Sequence, residues 1–162
     1  MTMGRSVATH PDASRRILGM TLPATTSLPD HVRRFLTEPR YAVVATIDAD
    51  GAPRQAVIWF LLDGDTIVIN SMDGRRWPTN LRRDRRVAIA VTDSNEESWV
   101  GLNGTVEVVD DQEQAQADIA AMARRYSGDA AAAEDSIATF RTQRRVSFRL
   151  RPTGIHDHIE GD

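Results

Sequence analysis

From Tyr41 onward the apolar residues recur with a period of two, in short stretches cut by acidic and glycine turns. Successive side chains of a strand point to opposite faces, so this pattern specifies half-buried β-strands. Tyr41-Ala42-Val43-Val44-Ala45-Thr46-Ile47 is the first, turned by Asp48-Ala49-Asp50-Gly51. Pro53 to Leu62 reads as one second strand, followed by the hairpin turn Leu62-Asp63-Gly64-Asp65. Thr66 to Asn70 is the third and Arg86 to Thr92 the fourth. Trp99 to Val109 is the fifth, where Gly101 and Gly104 mark a bulge or a close backbone approach. Val146, Phe148 and Leu150 alternate with Ser147, Arg149 and Arg151 in a sixth, and the chain from Pro152 reads as loop. Short strands in close succession, without βαβ alternation, predict an α+β fold built on a closed or partly closed antiparallel barrel.

The remaining segments fit around that sheet. Residues 1–27 lack periodicity and read as an N-terminal arm. A short helix begins near Leu28-Pro29-Asp30 and places Val32, Phe35 and Leu36 on one face. Ser71 to Trp77 is a polar loop leading into one or two helical turns over Pro78 to Asp84. Asp110 is placed to cap a helix from Asp111 to about Tyr126, with Glu113 completing a capping-box pattern and Ala115, Ile119 and Met122 forming its apolar stripe. The alanine-rich stretch 128–140 adds a second short helix. This divides the chain into an arm (1–27), a body (28–155) and a tail (156–162).

Composition removes several chemistries. The 162 residues contain no cysteine, which excludes disulfides, thiolate catalysis and iron–sulfur clusters. All 20 basic residues are arginine, so Schiff-base chemistry through lysine is excluded as well, and any phosphate must be held by guanidinium, hydroxyl or backbone N–H groups. A net charge of −3 argues against a nucleic-acid binder. No apolar run approaches a membrane span. Ser14-Arg15-Arg16 has the twin arginines of an export signal without the apolar segment that should follow, so a cytoplasmic protein is expected. The four histidines show no metal-ligand spacing on a helix; His156-Asp157-His158 lies in the expected tail, and no metal site is expected.

Two stretches carry candidate chemistry. Asp73 to Arg86 holds six arginines around Trp77-Pro78-Thr79-Asn80, where a loop meets a helix N-terminus. Such a place suits an anion, although a solvated charged helix face has the same composition. In Arg54-Gln55-Ala56-Val57-Ile58-Trp59-Phe60, Gln55, Val57 and Trp59 share one face, and Arg54, Ala56, Ile58 and Phe60 the other. The small Ala56 would let a flat ring lie against the backbone, while a plain core strand explains the same residues. Trp99 is read as a core residue in preference to a ring stacker. There is no G-x-S-x-G, P-loop or G-x-G-x-x-G.

The order of strand, Asp50-Gly51-Ala52-Pro53, strand, Asp63-Gly64-Asp65, strand, then Gly74-Arg75-Arg76-Trp77-Pro78-Thr79-Asn80-Leu81-Arg82-Arg83-Asp84, resembles the pyridoxamine 5'-phosphate oxidase-like split β-barrels. Within them it is similar to the actinobacterial flavin/deazaflavin oxidoreductases of the B type, called coenzyme F420-dependent enzymes. Trp99 to Val108, Ala123-Arg124-Arg125-Tyr126 and Arg144 to Pro152 fit the same pattern, so the likeness covers roughly residues 28 to 155. It implies a six-stranded antiparallel split β-barrel and a homodimer with coenzyme F420, or alternatively FMN, at the subunit interface. The ring would lie on Arg54, Gln55, Ala56, Val57 and Ile58. The phosphate would meet Asn70, Ser71, Arg75 and Arg76, with Asn80 and Arg82 beside them. Trp77 stands where many relatives carry a phosphate-binding lysine, and it would stack on the ring or cover the tail. The implied activity is hydride transfer to a small conjugated substrate with no named catalytic acid. An FMN oxidase or reductase and a non-catalytic ligand-binding protein are the alternatives. Pyridoxamine phosphate oxidation itself is disfavoured, because residues for that substrate's phosphate are not evident.

Overall fold

A computed structural model of the chain describes residues 16–17, 20–21, 25–95 and 97–159. The predicted arm over 1–27 lies mostly outside them, as does the end of the predicted tail; two short strands, β1 (Arg16–Ile17) and β2 (Met20–Thr21), pair with each other. The body follows as α1 (Asp30–Thr37), β3 (Ala42–Ile47), β4 (Pro53–Ile58), β5 (Phe60–Asp63), β6 (Thr66–Met72), α2 (Arg76–Arg83), β7 (Arg86–Thr92), β8 (Trp99–Val109), α3 (Gln112–Tyr126), α4 (Ala130–Arg141) and β9 (Arg145–His158).

Seven of these strands form one antiparallel sheet in the order β4-β3-β7-β8-β9-β6-β5. The two edge strands, β4 and β5, are neighbours in sequence, separated only by Trp59. Consecutive Cα atoms lie about 3.8 Å apart. The two edges therefore have to meet at Trp59, and the sheet curls into a half-barrel. This is the α+β split-barrel architecture expected, with seven strands in place of six. The extra strand arises because Pro53 to Leu62 is two strands: Pro53–Ile58 pairs with β3, and Phe60–Asp63 turns away to pair with β6. The Tyr126 hydroxyl fixes the break, accepting from the Phe60 N–H (3.3 Å) and donating to the Arg40 carbonyl (2.7 Å). Trp59 stacks on the same ring at 5.3 Å and 3°.

The inward residues of the strands form the core with Val32, Phe35 and Leu36 of α1 and Leu81 of α2. Phe60, Phe148, Leu102 and Leu150 are fully buried there. Each such side chain contributes about 1.5–3 kcal/mol of burial. On the outer face of β5 and β6, Leu61 and Val68 pack beneath Ile119 and Met122 of α3 and Phe140 of α4. The predicted faces of α1 and α3 are thus buried as read.

Four local expectations need correction. The helix α3 is capped by Asp111, whose side chain accepts from the Gln114 N–H at 2.8 Å, and not by Asp110, which binds Arg82 instead. The loop before α2 is shorter than Ser71 to Trp77, since β6 runs to Met72 and α2 starts at Arg76. The chain beyond Pro152 is strand, because β9 continues to His158 along the full length of β8. Between Asn103 and Gly104 the register shifts, and Thr153 is the extra residue on β9; this is the irregularity that the glycines announced. Trp99 faces outward and is 40% exposed, because the alternation of β8 puts Val100 and Leu102 inside.

Candidate functional site

A cleft of about 250 Å³ opens where β4 gives way to β5. Val57, Ile58 and Trp59 form one wall, Asn70 and Ser71 at the end of β6 another, and Arg75 and Trp77 of the β6–α2 connection the rim. Trp77 is half-buried and its ring lies 5.6 Å from that of Phe148. The lining is completed by Tyr41, Ile119, Phe140, Gln143 and Arg145. Six of the twelve predicted site residues thus come together in this cleft: Val57, Ile58, Asn70, Ser71, Arg75 and Trp77.

The other six are placed elsewhere. Arg54 and Arg76 both bind the buried carboxylate of Asp48, each at 2.6 Å from Oδ2. Asn80, also buried, donates from Nδ2 to Asp48 Oδ1 (2.7 Å) and to Thr46 Oγ1 (3.2 Å). Arg76 above all, with Arg54 and Asn80, holds the Asp48 carboxyl well below the usual carboxylate range. Asp48 thereby ties α2 to the β3–β4 hairpin. Arg82 binds Asp110 and Asp73, closing the other side of α2 onto the start of α3. Gln55 lies on the exposed outer face of β4, and Ala56 packs against the core.

The polar end of the cleft is organised by a residue that the sequence reading missed. Arg145, on the first position of β9, is 4% exposed. Its Nε and Nη2 donate to Asn70 Oδ1 at 2.9 and 2.8 Å, and its Nη1 donates to Gln143 Oε1 at 2.7 Å. Asn70 is held in turn by bonds from Nδ2 to the Ala115 carbonyl (2.8 Å) and Ser147 Oγ (2.9 Å). No carboxylate among the described residues pairs with Arg145, and none pairs with Arg75. Burial, with the Arg75 cation adding to it, brings the Arg145 guanidinium down to about 10. Ser71, the next residue of β6, points with Val146 to the other face of the sheet, and its hydroxyl is buried with no hydrogen-bond partner. Buried polar atoms are nearly always partnered. Two guanidinium groups without carboxylates at one end of a cleft suit an anion, and a phosphate group fits them.

Outside the cleft, the sheet presents a flat face of small residues. Across four strands, Val57, Val43, Ala90 and Gly101 form one row, and Gln55, Ala45, Ala88 and Asn103 the next. Val57 is 70% and Tyr41 60% exposed, so this face reaches the rim of the cleft. Among the described residues no helix is long and apolar enough to cross a membrane, and no cluster of three or more histidine or carboxylate side chains is gathered for a metal.

The curled antiparallel sheet with its flanking helices is a split barrel of the pyridoxamine 5'-phosphate oxidase-like kind. The family model for pyridoxamine 5'-phosphate oxidase matches residues 28–158, and the chain belongs to that family. Among solved structures it is similar to an F420 reductase, at 26% identity and a TM-score of 0.66, over 80% of this chain and 98% of that one. It is also similar to a conserved hypothetical protein from Mycobacterium tuberculosis, at 21% identity and a TM-score of 0.68, covering 82% and 85% of the two chains. The General Stress Protein 26 of Bacillus anthracis shares the fold at 11% identity and a TM-score of 0.55, covering 77% and 88%. No curated protein sequence matches the chain significantly.

Proposed function

We propose that this protein is a cytoplasmic oxidoreductase of the B-type flavin/deazaflavin group, holding coenzyme F420, or in the alternative FMN, at a homodimer interface. The observation that carries the reading is the polarity of the cleft: flat apolar walls of Val57, Ile58, Trp59 and Trp77 lead to an end made of Ser71 and Arg75. That gradient suits a flat ring bearing a phosphorylated chain. The likeness to an F420 reductase favours the deazaflavin. The cofactor-binding unit is residues 28–155, and half of the residues expected for the ring and phosphate lie along the cleft.

The partner subunit follows from size and surface. Small-molecule pockets ordinarily enclose about 300–1,000 Å³, and the cleft of one chain, at about 250 Å³, falls below that range. Its rim continues into the flat outer face of β4, β3, β7 and β8. A second copy laid on that face covers the exposed Val57 and Tyr41 and encloses the ring from the other side.

When bound, the reduced cofactor supplies the hydride. The chain's own residues orient it and keep water away. β4 offers backbone and side-chain wall, and Trp59, locked by stacking on Tyr126, keeps that wall rigid. Among the described residues no carboxylate or histidine lines this chain's side of the cleft, and the reading assigns the proton that completes the reduction to solvent or substrate. The substrate is a small conjugated molecule admitted beside Tyr41 at the mouth.

Absorbance of the purified protein and a fluorescence titration with F420 test this reading. A flavin spectrum supports FMN. Quenching of F420 fluorescence by colourless protein supports the deazaflavin. Failure of both to bind at micromolar concentration refutes the oxidoreductase reading and leaves a non-catalytic ligand-binding protein of the same fold.

A further inference from the structure

Two features of the outer sheet face have no part in the cleft: Trp99, and His156-Asp157-His158 near the end of β9. A loop would leave the two histidines in no fixed relation. The structure puts them on a strand, where Gly101 pairs with His156, Val100 with Asp157 and Trp99 with His158. Side chains two positions apart on a strand share a face. Val100 is buried in the core, and its partner Asp157 points to the same side, where it meets Nε2 of His31 on α1 at 3.0 Å. His156 and His158 therefore point outward, and both are exposed. The Cβ of His156 lies 3.9 Å from where a Cβ of Gly101 would stand, which fixes the face directly. The Trp99 ring reaches over the same glycine, with Cζ3 3.7 Å from that point. One indole and two imidazoles thus stand around a position that has no side chain of its own.

We infer that His156 and His158 form a two-nitrogen site for a divalent transition-metal cation of the kind imidazole prefers: zinc, nickel or copper. A strand rises about 3.2–3.4 Å per residue, so their Cβ atoms are about 6.5 Å apart. Two nitrogens at about 2.0–2.1 Å from one tetrahedral ion stand about 3.3 Å apart. The imidazoles close that difference by leaning toward each other, which side-chain rotation supplies without moving the backbone. The backbone is already held: β8 pairs with every residue of the motif, and the Asp157–His31 bond ties the strand to α1. Ligands fixed before binding lose little freedom on binding. Neither imidazole has a hydrogen-bond partner among the described residues, so no bond within the protein is given up. This chain supplies two ligands, and the remaining positions of a tetrahedral ion go to water. Affinity therefore falls short of a structural zinc site with its full set of protein ligands. The site lies outside the cleft and stands whatever the cleft holds.

Copper(II), nickel(II), zinc(II) and magnesium chlorides are the probes, titrated separately into untagged full-length protein. The buffer is non-coordinating and set above the ordinary imidazole pKa of about 6.5. Binding is read by calorimetry and, for copper(II), by quenching of Trp99 fluorescence beside the imidazoles. Copper is expected to bind more tightly than nickel or zinc. Magnesium, which takes oxygen ligands, is expected not to bind. Joining two weak ligands on one strand raises affinity by about a hundredfold, so His156→Ala and His158→Ala should each weaken binding by about that factor. Both positions are exposed, so Tm should move by no more than about 2 °C. Trp99→Phe should remove the quenching and leave the calorimetric affinity unchanged. Asp157→Asn, on the opposite side of the strand, should leave affinity nearly unchanged; a loss as large as that of either histidine variant would mean that the three residues chelate as a loop, and would overturn the assignment. Binding that persists in the double variant H156A/H158A overturns it too, since the metal then sits on His10, His31 or a chain terminus. Absence of binding to the native chain at submillimolar metal does the same. Should a variant fail to fold, proton NMR of the native chain takes its place. Copper(II) is expected to broaden the imidazole signals of His156 and His158 before those of His10 and His31, and the reverse order refutes the site.

Discussion

Replacing Gly104 by alanine tests the close approach of β8 to β9, the strand that begins at Arg145 and lies between β8 and β6 in the sheet. A Cβ at position 104 would lie 2.3 Å from the carbonyl oxygen of Arg151 and 2.7 Å from Leu150 Cδ1. Carbon–oxygen contacts across strands settle near 3.3 Å or more, so the overlap with the carbonyl is about 1 Å. The leucine methyl can rotate away, but the carbonyl belongs to the bulged backbone of β9 and moves only if the ladder opens. Overpacking a core typically costs about 1–3 kcal/mol, and a clash with backbone belongs at or beyond the top of that range. With about 2–4 °C of Tm per kcal/mol for a chain of this size, Gly104→Ala should lower Tm by on the order of 6–12 °C. Gly101→Ala is the internal control: the nearest atom to its added Cβ is the His156 carbonyl oxygen at 3.6 Å, an ordinary contact. That variant should stay within about 1 kcal/mol of the native chain, since alanine also restricts the unfolded state. Thermal and urea unfolding followed by tryptophan fluorescence, at matched protein concentration, give both numbers. Equal stabilities for the two variants would refute the claim that close approach, and not flexibility, requires glycine at position 104.

Three further outcomes follow from named contacts. Asp48→Asn should lower Tm at neutral pH by stripping Arg54 and Arg76 of their shared anion; because the folded carboxyl titrates below its unfolded value, near 4, the gap from the native chain should hold from pH 7 to pH 5 and narrow below about pH 4. A gap that stays constant down to pH 3 would show that the charge of Asp48 is not what stabilises α2. Tyr126→Phe leaves the Phe60 N–H and the Arg40 carbonyl without their shared partner, and should cost about 1–3 kcal/mol in unfolding free energy; an unchanged urea midpoint would mean that water substitutes for the phenol. Val57→Arg, on the exposed outer face of edge strand β4, should turn the proposed homodimer into a folded monomer when mass is read by light scattering after gel filtration, and an unchanged mass would move the proposed subunit contact elsewhere.

What could be read in the sequence, and what could not, divides along physical lines. Alternation is a local signal, so β3, β7 and β8 were legible to within a residue, and so were the buried stripes of α1 and α3. The break at Trp59 was not, because Ile58 and Phe60 both point inward and the alternation runs through the change of partner undisturbed. Only pairing distinguishes one strand from two there, and pairing is non-local. The strand beyond Pro152 was hidden for a related reason. Pro152, Thr153 and Gly154 have the composition of a loop, yet the long β8 needs a partner, and a bulge at Thr153 accommodates them. Of the adjacent aspartates Asp110 and Asp111, either could cap α3; Arg82, remote in sequence, takes the first.

The same distinction governs the site. An arginine-rich loop is visible in composition, but whether a given arginine is available depends on which acids the fold brings to it. Arg76 and Arg54 are spoken for by Asp48, and Arg82 by Asp73 and Asp110, whereas Arg75, in the middle of the same run, has no acid within reach among the described residues. Arg145 went unnoticed because, on a strand whose other face carries Val146, Phe148 and Leu150, it occupies a position that normally faces water. It is buried only because α3 and the end of α4 cover that face. A hint was present: Arg145 and Ser147 share the face that the apolar stripe of α3 must cover, so a helix with one buried stripe had to lie over polar side chains. A polar residue beneath such a stripe is either partnered by the helix or left for a ligand. Asn70 and Gln143 are satisfied within the protein, and Arg145 is satisfied in geometry but not in charge. It is the imbalance of charge at this end of the cleft, more than the number of arginines in the loop, that points to an anionic ligand.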